Sequence, residues 1–138
     1  MTWKNAQFGE FEYMEDHVIL FPEGLIGFED LHKYILINEE ETQPFLWLVS
    51  LEDPLISFPL LNPRGFLGVY PEPDTLGASD AVFVIATLQD NPAESAVNLK
   101  SPIVINNATR QAKQIILENE RYGFHHQLFP ATTESRRV

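Results

Sequence analysis

Pro44-Phe-Leu-Trp-Leu-Val-Ser-Leu-Glu-Asp-Pro-Leu-Ile-Ser-Phe-Pro-Leu-Leu-Asn-Pro63 is the stretch of the chain around which the fold is organised. Residues 45–49 and 55–61 are two largely apolar runs, separated by a Glu-Asp-Pro step. Successive side chains of a strand point to opposite faces, so a strand that is apolar at every position is covered on both faces. The Asp-Pro step favours a turn, because proline restricts the residue before it. The stretch therefore predicts a core β-hairpin with an acidic tip, and Pro59 favours an edge position or a bulge in its second strand.

The rest of the chain reads as short strands separated by turns rich in proline, glycine and asparagine. The predicted strands cover residues 11–13, 18–21, 34–37, 66–70, 81–88, 96–99, 102–106 and 122–129. Single helical turns are predicted at 29–32 and 74–78, and 24–28 form a loop whose leucine and isoleucine tuck inward. Residues 111–120 combine good helix formers with an Ile-Ile-Leu strand pattern, so local rules leave helix and strand open there. Such a series of short strands indicates an antiparallel β-barrel or sandwich.

The charge of the chain is strongly negative and unevenly distributed. The formal net charge is -11; residues 1–60 hold 12 acidic and 2 basic side chains, which gives -10, and residues 61–138 hold 8 and 7, which gives -1. A field of this sign repels nucleic acid and favours basic partners, although acidity also simply keeps a protein soluble. There is no cysteine, and no apolar run approaches the roughly 18 residues that span a bilayer. We expect neither membrane insertion nor export.

Candidate catalytic and metal-binding residues are few. On a strand His125 and His126 would point to opposite faces and could not reach one ion together. The other histidines, His17 and His32, have no ligand spacing that joins them, and no Ser-His-Asp arrangement stands out. The sequence predicts no metal site, no cofactor and no enzyme.

Three groups of residues match a known family in their order and spacing. They are Gly24-Leu-Ile-Gly27-Phe28; Pro44-Phe45 with Ser50-Leu-Glu-Asp-Pro54 and Phe58; and Asn98-Leu-Lys-Ser-Pro102-Ile-Val-Ile-Asn106 with Gln114 following. Together they resemble the flagellar assembly factor FliW family over roughly residues 8–128. Ser101 stands where the family commonly has alanine, and Ala112 where it commonly has glycine.

The resemblance implies an all-β fold: a small antiparallel β-barrel-like single domain with one or two short helical turns. The length of the chain fits one domain over residues 1–138, and the polar residues 130–138 are expected to form a flexible tail. It also favours a strand at 114–117. Its functional implication is a cytoplasmic, non-enzymatic protein that binds newly made flagellin near the flagellin chain terminus. The family also binds CsrA, a basic RNA-binding dimer that represses flagellin mRNA, so that protein freed by flagellin export captures CsrA and translation resumes. No direct contact with nucleic acid or membrane is implied.

Two kinds of surface are expected to serve the two partners. The acidic residues expected to attract CsrA are Glu39, Glu40, Glu41, Glu52 and Asp53. The apolar strip expected to hold an amphipathic flagellin helix consists of Phe58, Pro102 and Ile103, although these side chains equally fit a core role. The alternative functions are an acidic binding module for another basic protein and, less favoured, a metal-dependent enzyme.

Overall fold

Short strands make up almost all the regular structure of the computed structural model, which describes residues 1–67, 70, 79–118 and 121–127. The strands are β1 (Thr2–Asn5), β2 (Gly9–Glu12), β3 (Ile19–Leu20), β4 (Lys33–Asn38), β5 (Leu46–Ser50), β6 (Ser57–Leu61), β7 (Asp80–Thr87), β8 (Ala96–Val97), β9 (Ile103–Asn106), β10 (Gln111–Gln114) and β11 (His126–Gln127). A four-residue helix, α1, covers Arg64–Leu67, and 3₁₀ turns cover Glu15–His17, Glu40–Thr42 and Pro92–Glu94. Within the described residues, no helix is both long enough and apolar enough to cross a membrane.

Seven strands close into a barrel in the order β7-β6-β5-β4-β3-β10-β9, with β9 pairing back onto β7. The pairing of β10 with β3 is parallel and the other pairings are antiparallel. Strands β8 and β11 extend from the far end of β7. Closure leaves no open edge in the ring itself, and the predicted all-β, barrel-like fold is confirmed.

The hairpin predicted from residues 44–63 is formed by β5 and β6 and lies within the barrel wall. Leu48 points into the barrel and is fully buried, whereas Trp47 and Val49 point outward and are buried beneath the β1–β2 hairpin. Strand β5 is therefore covered on both faces, as its unbroken apolar run predicts. Pro59 pairs with β5 only, because pairing of β6 with β7 begins at Leu60. The missing amide of Pro59 thus costs no ladder bond.

The apolar side chains form three clusters. The cluster inside the barrel contains Ile19, Phe21, Leu25, Tyr34, Leu48, Leu60, Ile103, Ile105 and Ala112. A second cluster lies outside β4 and β5, where aromatic side chains of residues 3–13 cover them, and a third lies outside β6 and β7. Each wall strand consequently packs apolar residues against at least one of these clusters.

Several local predictions differ from the structure. Residues 29 and 30 form a turn, 31 and 32 have no assigned secondary structure, and the predicted helical turn is absent there. Phe66 and Leu67 belong to α1 rather than to a strand. Helix α1 forms because the Asn62 side chain accepts a bond from the Arg64 amide (3.0 Å) while Pro63 supplies a suitable first residue. The predicted last strand is limited to β11 among the described residues, and the predictions for 74–78 and 130–138 lie outside them.

The ambiguous segment 111–120 begins as strand β10, paired with β9 along its whole length. Residues 115–118 carry no assigned strand, yet the amides of Ile115 and Leu117 still donate to the carbonyls of Pro102 (3.0 Å) and Lys100 (2.8 Å). Pairing in the barrel wall therefore outweighs the helix propensity of this segment.

Candidate partner-binding surface

The two acidic groups named from the sequence lie at opposite ends of β5. Residues 39–41 precede the strand, at the β4–β5 connection, and Glu52 and Asp53 follow it, at the β5–β6 turn. Strand β5, which lies between the groups, alone spans roughly 13 Å, or four steps of about 3.3 Å. The structure does not bring these carboxylates together into one site.

The first acidic group is carried on an anchored loop. Thr42 donates its hydroxyl to the carbonyl of Glu39 (3.2 Å) and accepts a bond from the indole nitrogen of Trp47 (2.9 Å). Glu39 is half-buried, whereas Glu40 and Glu41 are exposed. The loop therefore presents Glu40 and Glu41 to solvent from a fixed position.

Glu52 is occupied by a structural contact. Its Oε1 accepts bonds from the backbone amides of His32 (2.5 Å) and Lys33 (3.0 Å). Burial alone would raise the pKa of Glu52, but these two amides and the charges of the same two residues outweigh it, so its pKa lies below the ordinary 4.5. Glu52 joins the β5–β6 turn to the start of β4.

Asp53 also helps to build the turn. The amides of Glu52 and Asp53 both donate to the buried Ser50 hydroxyl (3.1 and 3.0 Å). The Oδ1 of Asp53 accepts a bond from the amide of Leu55 (3.0 Å), a side-chain turn typical of aspartate. The acidic tip is thus part of the architecture of the hairpin as well as a source of negative charge.

The three residues of the expected apolar strip are mostly inside the protein. Ile103 is completely buried in the barrel, and Pro102 is buried beside it. Phe58 is half-buried, with its ring 5.1 Å from that of Phe28 and 6.4 Å from that of Tyr34. The burial of Pro102 and Ile103 fits the core role that the sequence left open for them, and their role as partner contacts stays a prediction.

An exposed apolar surface lies instead on the loop that connects β3 to β4. This loop makes three successive tight turns, in which Gly24 donates to Phe21 (2.9 Å), Phe28 to Leu25 (2.8 Å) and Leu31 to Phe28 (3.1 Å). The inward side chains, which pack on the barrel core, are Phe21, Leu25, Phe28 and Leu31. The exposed residues on the outside of the turns include Glu23, Ile26 and Asp30. Leu25 tucks inward as predicted, and Ile26 does not.

Backbone packing within the loop and a side-chain brace hold it in place. Gly24 has φ +70°, and a Cβ there would lie 2.6 Å from the Cα of Glu29, so only glycine fits. Gln114 accepts a bond from the amide of Ile26 (2.8 Å) and donates one to the carbonyl of Ser101 (3.0 Å). Gln114 therefore ties the loop to the segment before β9.

That brace explains why distant sequence motifs occur together. Asn98 accepts bonds from the amides of Lys100 and Ser101 (both 3.0 Å) and so shapes the segment that Gln114 contacts. Phe28 packs on Phe58 at the same loop. The motifs at 24–28, 58, 98–102 and 114 are thus parts of one structural unit, and their joint spacing is the sequence signal that could have indicated it.

Ile116 lies two residues after Gln114, the residue that braces the loop. The backbone bonds of residues 115 and 117 continue the ladder, so 114 and 116 share one face of the chain. Gln114 reaches Ile26 on that face, and Ile26 and Ile116 are 54% and 60% exposed. We define the loop patch as Ile26 and Ile116 with the exposed carboxylates Glu23 and Asp30.

The histidines offer no metal centre in the described part of the chain. His125 and His126 are both exposed, and the ring of His126 lies 6.4 Å from that of Phe66. Within the ranges that the structure describes, no three or more His, Cys, Asp or Glu side chains are grouped so as to hold an ion.

These features define a class: a small, acidic, closed β-barrel with an exposed apolar patch on a braced loop. The model of the family described as FliW protein matches residues 2–128. A flagellar assembly factor FliW of Bdellovibrio bacteriovorus is 34% identical over 94% of this chain and 79% of its own length. One from Caldanaerobacter subterraneus subsp. tengcongensis is 39% identical over 91% of each chain.

A solved structure agrees with the sequence relatives. The crystal structure of a flagellar assembly factor FliW superposes with a TM-score of 0.85 at 31% identity, covering 94% of this chain and 98% of the other. The chain belongs to the FliW family of flagellar assembly factors.

Proposed function

We propose that this protein is a non-enzymatic, cytoplasmic flagellar assembly factor that binds flagellin and the translational regulator CsrA. While flagellin accumulates, it occupies the protein. Once flagellin is exported, the freed protein captures CsrA and thereby relieves repression of flagellin mRNA translation. The protein acts by exchanging partners and needs neither a cofactor nor contact with RNA.

Family membership is the observation that carries this proposal. The family match runs over residues 2–128, and relatives at 34–39% identity are named flagellar assembly factors. The match is continuous over the barrel and includes the braced loop, so the surface available for partners belongs to the shared part of the fold.

The charge distribution supports a basic protein as one partner. The first 60 residues carry -10 of the -11 net charge, which lowers the energy of an approaching basic protein and raises that of an approaching RNA. Glu40 and Glu41 are exposed and so able to meet such a partner. Glu52 and Asp53 contribute to the field, while one oxygen of each is already engaged, Oε1 of Glu52 by the start of β4 and Oδ1 of Asp53 within the turn.

The direct test measures binding of the purified protein to flagellin and to CsrA by calorimetry. We expect both complexes to form, and added flagellin to release CsrA. CsrA bound to the flagellin mRNA leader should be released by the protein. Binding of neither partner would refute the proposal.

A charge reversal tests the role of the β4–β5 loop. Changing Glu40 and Glu41 to lysine should weaken CsrA binding and reduce its dependence on salt, because fewer attractive charge pairs remain. The matched control changes Glu10 and Glu12, exposed on β2, to lysine; it alters net charge equally at another place. Equal losses in both variants would mean that only net charge matters.

A further inference from the structure

We propose that the loop patch is a docking surface for a basic protein that inserts an aliphatic side chain between Ile26 and Ile116. Single exposed aliphatic residues are ordinary on protein surfaces. Here two of them, each more than half exposed, are connected through Gln114, whose side chain bonds the amide of Ile26 and which shares one face of the chain with Ile116. They form a small apolar area at a defined position.

The loop that carries Ile26 is already ordered by its own contacts in the absence of a partner. The three tight turns pack Leu25 and Phe28 on the barrel core, and the close approach of Gly24 to Glu29 makes the loop compact. The two hydrogen bonds of Gln114 hold the loop at a fixed position relative to the segment before β9. A preformed surface loses little conformational entropy on binding, which favours affinity from a small contact area.

The charges around the patch select the kind of partner. Residues 21–31 contain Glu23, Glu29 and Asp30 and no lysine or arginine, while on the β10 side the exposed Lys113 lines the same pocket as Glu23. Glu29 serves the loop by accepting a bond from the amide of Gly27 (3.1 Å), whereas Glu23 and Asp30 lie on the outside of the turns. An apolar centre with an acidic rim matches an aliphatic side chain flanked by lysine or arginine.

Other occupants fit this surface less well. A second copy of the chain would bring its own net charge of -11 against the acidic rim, and RNA would bring phosphates. A basic protein gains from both the apolar and the charged parts. This step rests on the proposed function, because of the two partners proposed there the basic one is CsrA.

The test uses two pairs of substitutions in the full chain. The apolar pair is Ile26→Ser with Ile116→Ser, and the charge pair is Glu23→Lys with Asp30→Lys. All four side chains are exposed, so both variants should keep the wild-type melting temperature, which checks that they fold. The apolar control is Met14→Ser, because Met14 follows β2 and is 63% exposed. The charge control is the variant with both Glu10→Lys and Glu12→Lys.

We expect the apolar pair to weaken CsrA binding at least tenfold, roughly the effect of losing one central apolar contact, and to leave flagellin binding unchanged. The charge pair should weaken CsrA binding and reduce its dependence on salt. Both controls should bind CsrA with an affinity nearer to that of the wild type than to that of the patch variants. If the wild-type chain binds CsrA and the apolar pair binds it equally well, the docking inference fails and the proposed function stands. Loss of flagellin binding alone, or equal loss for both partners, would also overturn it. A wild-type chain that binds neither partner refutes the proposed function itself.

Discussion

Replacing Trp47 with alanine should destabilise the protein more than any substitution on the surface. Trp47 is 8% exposed and lies on β5 between the barrel wall and the β1–β2 hairpin, with its ring 5.6 Å from that of Phe8 in an edge-on arrangement. Truncating a buried tryptophan to alanine costs about 3–5 kcal/mol through lost transfer free energy and the cavity left behind. The substitution also removes the donor to Thr42, which places the expected loss in the upper half of that range.

The loss in melting temperature follows from the size of the chain. For 138 residues the entropy of unfolding is about 0.3 kcal/mol per kelvin, so 4 kcal/mol corresponds to roughly 14 °C. Urea unfolding followed by circular dichroism gives the free energy directly. Trp47→Phe is the matched variant, because it keeps an aromatic ring in the cluster and loses only the hydrogen bond and a little volume; we expect about 1–2 kcal/mol.

The same variant reports on the β1–β2 hairpin. Trp3 and Trp47 are the only tryptophans, so the emission of the alanine variant comes from Trp3 alone. If the hairpin detaches when its largest contact is lost, this emission shifts to the red. A loss of less than about 1.5 kcal/mol with an unshifted emission would mean that β5 is not stabilised from its outer face, and the reasoning from its two-sided apolar run would be wrong.

Three further predictions concern the loop and the acidic turn. Gln114→Ala should cost about 1–2 kcal/mol by removing two hydrogen bonds, and the Ile26 amide should exchange with solvent faster by NMR; unchanged exchange would argue against the brace. Gly24→Ala should destabilise the protein more than Gly9→Ala. Both glycines have positive φ (+70° and +73°), but only at Gly24 would an added Cβ clash with neighbouring backbone. Equal losses in melting temperature would contradict the packing argument. The Glu52→Gln variant should be less stable than the wild type above about pH 4.5. This difference in the free energy of unfolding should vanish as pH falls through the lowered folded-state pKa of Glu52. A difference that does not depend on pH in urea titrations would show that the charge plays no part.

The hairpin at 44–63 could be predicted because its signals are local. An unbroken apolar run needs cover on both faces wherever it lies, and Pro59 restricts pairing whatever its neighbour is. Other predictions failed because they depend on contacts between distant residues. Nothing local separates Leu25 from Ile26, and only the turn geometry sends one into the barrel and the other into solvent.

The candidate site was harder to predict than the fold for the same reason. Ile103 is as hydrophobic as Ile116, but β9 is paired on both sides in the barrel wall and residue 116 lies beyond the end of β10. Whether an apolar residue lies in the core or on the surface depends on whether it falls within a paired part of a strand. The length of that paired part is set by contacts between strands that are distant in sequence. The resemblance identified the relevant motifs, while the Gln114 hydrogen bonds explain why they occur together.

The carboxylates of residues 1–60 act on a partner in two ways, through their long-range field and through direct contacts. All the carboxylates of residues 1–60 contribute to the field that steers a basic protein during approach, and that effect fades beyond about 8 Å at physiological salt. A carboxylate without a structural hydrogen bond can turn both oxygens toward a partner, whereas one that holds a turn together offers at most its second oxygen. Glu52 is bound by the amides of His32 and Lys33 at the start of β4, so neutralising it should change stability and association rate more than the lifetime of a complex. The exposed carboxylates at the β4–β5 loop and at the loop patch are better placed to lengthen that lifetime, and measuring association and dissociation rates separately for variants of each group would distinguish the two roles.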